Sequence, residues 1–158
     1  MSTFIRRLFI SLIGVLGGMA VFTISEIVLQ MQHRFDTYLL FSIILGLSIG
    51  LVLGAFFGSI EGITQSVKGR IFSGMTAGAI IGLAGGILGF LAGQAALLFL
   101  GEIFSGSKSF KTLGFPIARA LGWAIMGAII GIGEGLRALS FRKIKIGVIG
   151  GLIGGFSG

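Results

Sequence analysis

Runs of apolar residues broken by short polar clusters organise this chain, and strict alternation of apolar and polar positions does not. The runs lie at about 8–30, 38–60, 71–100, 113–133 and 144–158. A helix needs about 20 residues to cross a bilayer, so the first four are long enough and the fifth is short. Uninterrupted apolar runs predict helices, because a transmembrane barrel strand alternates its faces. The third run, at 30 residues, would make a straight helix of about 45 Å against a hydrocarbon core of about 30 Å. A kink at Gly85-Gly86, with Gln94 at the interface, is the expected accommodation. The fifth run is still apolar at Gly158 and reads as a half-helix or as a chain that continues. The first follows Arg6 and Arg7 but passes Gly18 without a clear cleavage site, so it is expected to be an uncleaved span.

Composition strengthens this reading. The 158 residues are 54% hydrophobic and 11% charged, against roughly a quarter charged in a soluble domain. Too few charges remain to clothe a surface in water. In lipid every backbone polar group must be paired within the fold, which helices achieve. The expected fold class is an all-α polytopic membrane protein, one membrane domain over 1–158.

The net charge of +7 is gathered between the runs. Arg6, Arg7, Lys68, Arg70, Arg137, Arg142, Lys143 and Lys145 fall on one side of an alternating topology, and Arg34, Lys108, Lys111 and Arg119 on the other. By the positive-inside rule the N-terminus and the richer side are expected to be cytoplasmic, in a bacterial cytoplasmic membrane. A basic face there would attract anionic headgroups. No extended basic module points to nucleic acid.

Two segments share a register. "GAFFGSIEG" at 54–62 aligns with "GAIIGIGEG" at 127–135, which superposes Glu61 on Glu134 at an offset of 73. At the same offset Arg70 meets Lys143, and "GMTAGAIIG" at 74–82 meets "GVIGGLIGG" at 147–155. The pattern predicts a duplicated helical hairpin, over about 46–86 and 119–158, with both copies in the same orientation because each holds two spans.

Within the repeats glycine returns every fourth residue: Gly46, Gly50, Gly54, Gly58 and Gly62, then Gly74, Gly78, Gly82 and Gly86. It does so again at Gly127, Gly131 and Gly135, and at Gly147, Gly151 and Gly155. Lipid supplies no hydrophobic drive between helices, so close packing must hold them, and glycine removes the side chains that keep backbones apart. A glycine-ladder helix bundle is expected. Packing between subunits in a homo-oligomer and a path lined by bare backbone are the other readings of the ladder.

The chain lacks cysteine and has one histidine, His33, which leaves no thiolate or multi-histidine metal centre. No nucleophile–base set is available, and "GIGEG" has no phosphate-loop lysine after it. No catalytic residue or cofactor is expected. Attention falls on Glu61 and Glu134, carboxylates near helix C-termini, where the macrodipole opposes them. Arg137 is placed to compensate Glu134 locally. The cations common to both repeats, Arg70 and Lys143, suggest a crossed clasp, with Glu61 on the second repeat's basic connection and Glu134 on the first's. Ion or proton movement through the two glutamates is the alternative. Glu26 and Glu102 read as interfacial, Trp123 and Tyr38 as an aromatic belt, and Pro116 as a first-turn residue of the fourth helix.

"GAIIGIGEGLRALSFRKIKIGVIGGLIGG" resembles the glycine-rich multispan regions of bacterial proteins that carry a forkhead-associated domain elsewhere. The likeness covers about 119–158 and, more weakly, 54–93. It implies an anchoring or assembly role and supplies no catalytic residues. "GIGEGLR" also resembles the hairpin bend of proteolipid c subunits of rotary ATPases. Those carry an acid midway along the following helix, and 71–100 and 144–158 contain none.

Overall fold

A computed structural model of the chain describes residues 3–65, 67–103 and 110–157, and their side chains apart from those of residues 3, 6, 110, 111 and 134. Five helices follow one another: α1 (Thr3–Gln30), α2 (Tyr38–Thr64), α3 (Lys68–Ile103), α4 (Phe115–Arg137) and α5 (Phe141–Ser157). A 3-10 turn, Gln32–Arg34, joins α1 to α2, and a π-helical turn, Phe110–Gly114, precedes α4. Lys108 lies outside the described residues. The first four helices are long and apolar enough to cross a membrane, and the 17 residues of α5 are not. The chain is a multi-pass membrane protein with an all-helical fold.

The helices run past the apolar stretches that mark them. α2 continues through Glu61 to Thr64, α3 starts at Lys68, and α4 includes Glu134 and Arg137. Intrahelical hydrogen bonds do not depend on side-chain polarity, so the charged corners stay helical until the chain must reverse. α3 passes through Gly85-Gly86 as one helix of 36 residues, about 54 Å long. Both glycines are occupied by packing: a Cβ on Gly85 would press on Ile129, and one on Gly86 on the carbonyl of Gly46.

Each helix packs mainly on its neighbours in sequence, so the bundle is a meander. α1 rests on α2, with Gly17 against Phe56. α2 and α3 lie backbone to backbone. A methyl on Gly50 would fall on the carbonyl oxygen of Gly82, on Gly54 on that of Gly78, and on Gly58 on that of Gly74, and the reverse additions clash equally. α4 and α5 meet in the same way, Gly127 on Gly151 and Gly131 on Gly147. The second set of contacts lies 73 positions after the first, and so do the corners. Val67 N–H donates to Gly62 at 3.1 Å, and Ser140 N–H to Gly135 at 3.0 Å.

One register position differs. Where Gly50 faces Gly82 in the first hairpin, Trp123 offers its backbone to Gly155 in the second. The indole turns away from that seam, edge-on to Phe90 at 6.4 Å, and is half-buried inside the bundle. Tyr38, by contrast, opens α2 and is exposed, as a residue near the interface would be. The hairpins join through α3 and α4, which cross where Gly89 meets Gly122 and Met126. Large apolar side chains face outward along α1 to α4, and among the described hydrophobics only Ile13, Phe41, Ile49, Val52, Ala118, Ala124 and Met126 are buried.

Candidate functional site

The two corners, α2–α3 and α4–α5, lie at the same end of the bundle, where the shared acids and cations are concentrated. Glu61 sits in the last turn of α2, half-buried, and Lys143 Nζ in the first turn of α5 lies 3.8 Å from its carboxylate. The pair spans the two hairpins. Gln65 donates to the same carboxylate oxygen at 3.3 Å and accepts from Arg70, so Arg70 approaches Glu61 only through the amide. The helix end supplies unpaired carbonyls that repel a carboxylate, and these donors offset that cost.

The expected partner of Arg137, the Glu134 side chain, lies outside the described residues, and the structure shows a further contact of the guanidinium. Its Nη1 donates to the Gly58 carbonyl at 3.3 Å, across the boundary between the hairpins, and lies close to Gly74. A glycine seam leaves room for a guanidinium to reach backbone, and the C-terminal half of a helix favours a cation. The side chain of Glu134, and with it the second arm of the crossed clasp, falls outside the described residues.

The Glu61–Lys143 pair is partly solvent-exposed, so a modest coupling is expected. Glu61→Lys and Lys143→Glu should each destabilise by less than about 1 kcal/mol, and the double swap should recover about 0.5 kcal/mol. Denaturation of the four proteins of this double-mutant cycle measures it. A double mutant no more stable than the worse single mutant would remove the clasp.

Behind the corner, between the hairpins, is a cavity of about 500 Å3. Glycines of α2, α4 and α5 form much of its wall, Glu61 and Arg137 stand at the corner, and Trp123 and Met126 form the far end. A second cavity, about 810 Å3, opens at the opposite end of the bundle, where α2 and α4 begin and α5 ends. Trp123 and Met126 line it as well. Its polar side chains include Ser42, Gln94 and Arg119, none of which carries a glycine ladder or a shared charge. Spacing along the chain therefore gave no sign of it. The available signal was weaker, a serine and a glutamine inside otherwise apolar runs.

Comparison with known proteins finds no matching family model, no matching curated protein and no matching solved structure.

Proposed function

We propose that this chain is a nonenzymatic membrane bundle whose role is assembly or anchoring, built from a duplicated hairpin that packs through its glycine ladders. The observation that carries the reading is the common register of the two hairpins: Gly54 on Gly78 and Gly58 on Gly74 recur as Gly127 on Gly151 and Gly131 on Gly147. Contacts made by backbone alone suit a scaffold, because they fix helices closely and leave no side chain at the seam to do chemistry. The proposal includes a cytoplasmic N-terminus, a basic corner that attracts anionic lipid, and self-association or a membrane partner. An anchoring role also agrees with the resemblance to membrane regions of forkhead-associated-domain proteins.

One observation favours a second reading, a small channel or transporter: Glu61 and Arg137 line an inter-hairpin cavity, and intramembrane charges commonly mark ion paths. Liposome flux separates the two. The scaffold reading expects no proton or cation flux above empty vesicles from the intact chain, and none from Glu61→Gln or Glu134→Gln. Flux that is present in the intact protein and lost in both variants would replace the scaffold with a transporter.

A further inference from the structure

The larger cavity holds polar groups that the scaffold does not use. Ser42 is only 4% exposed and lines the cavity, yet its hydroxyl has no hydrogen-bond partner among the described residues. On the same helix Ser48 and Ser59 donate to the carbonyls of Ile44 and Phe56 at 2.8 and 2.7 Å. An available backbone acceptor is the usual partner for a helical serine in lipid, and among the described residues no fully buried side-chain N or O atom lacks a partner, so the unpaired Ser42 hydroxyl is one that the cavity reaches. Gln94, half-buried, and Arg119, exposed at the start of α4, line the same space and also have no hydrogen bond or ion pair among the described residues. Tyr38 and Ser157 also reach the wall, and most of the rest is apolar, with Phe41, Phe90, Trp123 and Met126 its larger side chains.

An apolar space of this size with a few polar groups is the usual form of a small-molecule site. Arg119 brings a fixed positive charge and only donors, Gln94 a donating amide, and Ser42 a hydroxyl that can donate. The complement of three donors and a charge is an acid. The complement of the aromatic wall is a hydrocarbon body. We propose that this cavity binds an acidic amphiphile, a carboxylate or phosphate head recognised by Arg119, Gln94 and Ser42, with its apolar tail held among Phe41, Phe90, Trp123 and Met126. The site lies at the end of the bundle away from the basic corner and does not depend on the scaffold reading.

Trp123 is the only tryptophan and lines the cavity, so its emission reports occupancy. The full chain, purified in a neutral sugar detergent, is titrated with 9,10-dibromostearate. Saturable quenching is expected, relieved by stearate or dodecyl phosphate and not by stearyl alcohol. Arg119→Gln should weaken the affinity at least tenfold and Ser42→Ala severalfold, with Arg119→Lys close to the parent and all variants monodisperse. Because Trp123 also lines the inter-hairpin cavity, whose cation is Arg137, Arg137→Gln serves as the control and should leave the affinity unchanged. Equal quenching by the brominated methyl ester, or affinity unaffected by Arg119→Gln, overturns the proposal. Competition by inorganic phosphate as strong as that by dodecyl phosphate would mean a free anion is recognised and likewise overturns it. If Arg119→Gln fails to fold, the acid-against-ester comparison on the intact chain still decides.

Discussion

Gly54→Leu should unfold the first hairpin or destabilise the protein by about 3 kcal/mol, at the upper end for overpacking, because backbone stands on both sides of the added side chain. A Cβ at Gly54 meets the carbonyl of Gly78 and lies 2.9 Å from the Cα of Gly82. A crowded side chain can rotate away, whereas a helix can yield only by moving as a body. Gly131→Leu, facing Gly147 in the second hairpin, should cost a similar amount. Gly14→Leu is the internal comparison: no atom beyond its own turns of helix backbone lies within 4 Å of a Cβ there, and a change within about 0.5 kcal/mol is expected. Reversible unfolding by SDS in mixed micelles reads all three. If Gly54→Leu proves as mild as Gly14→Leu, the close approach of α2 and α3 is not what holds the hairpin.

The second large effect is expected at the junction between the hairpins. A Cβ at Gly89 would stand 2.7 Å from both the Gly122 carbonyl oxygen and the Met126 Cβ. Gly89→Leu should therefore push α3 from α4 at a cost of about 2 kcal/mol, leaving each hairpin's own seam intact. Trp123 reports the separation, since Phe90 lies next to Gly89 and its ring meets the indole. A red-shifted emission with retained helicity is expected. One turn along, Gly93 differs, with the nearest atoms at 3.5 and 3.6 Å. Gly93→Ala fits that space and should stabilise by about 0.5–1 kcal/mol through helix propensity. Equal outcomes at Gly89 and Gly93 would refute the crossing as described.

Much of this architecture could be read in the chain because the bilayer imposes a simple rule. Apolar length marks a span, and the four long runs each became a helix. The ends were less legible: hydropathy stops at a charge, but α2, α3 and α4 carry Glu61, Lys68 and Arg137 within helical turns. The doubled glycine at 85–86 suggested a kink on propensity alone. Its two faces are taken up by Ile129 on one side and Gly46 on the other, a tertiary fact that no window of sequence contains. At the corner, pairing by shared offset put Glu61 with the second repeat's cations, and Lys143 is within 3.8 Å of it. The contact of Arg137 with the Gly58 carbonyl was not legible, because a carbonyl left accessible by glycine carries no residue-type signal. The cavities were illegible for a related reason. They depend on which side chains are missing from two helices at once.

A further cost of the tight corners appears at Leu139, which closes the α4–α5 turn with φ 47° and is 93% exposed. Left-handed backbone costs a non-glycine residue about 1–2 kcal/mol, and glycine is the common choice at this position after a helix.

Trp123 and Met126 line both cavities. Separating helices whose carbonyls interlock demands that whole rods slide apart, a slow collective motion. A side chain can shift by torsion, at about 1 kcal/mol when held about 30° from its preferred angle, although Met126 is packed in the core. The bundle is thus held by backbone along its seams and by side chains where its two internal spaces share a lining.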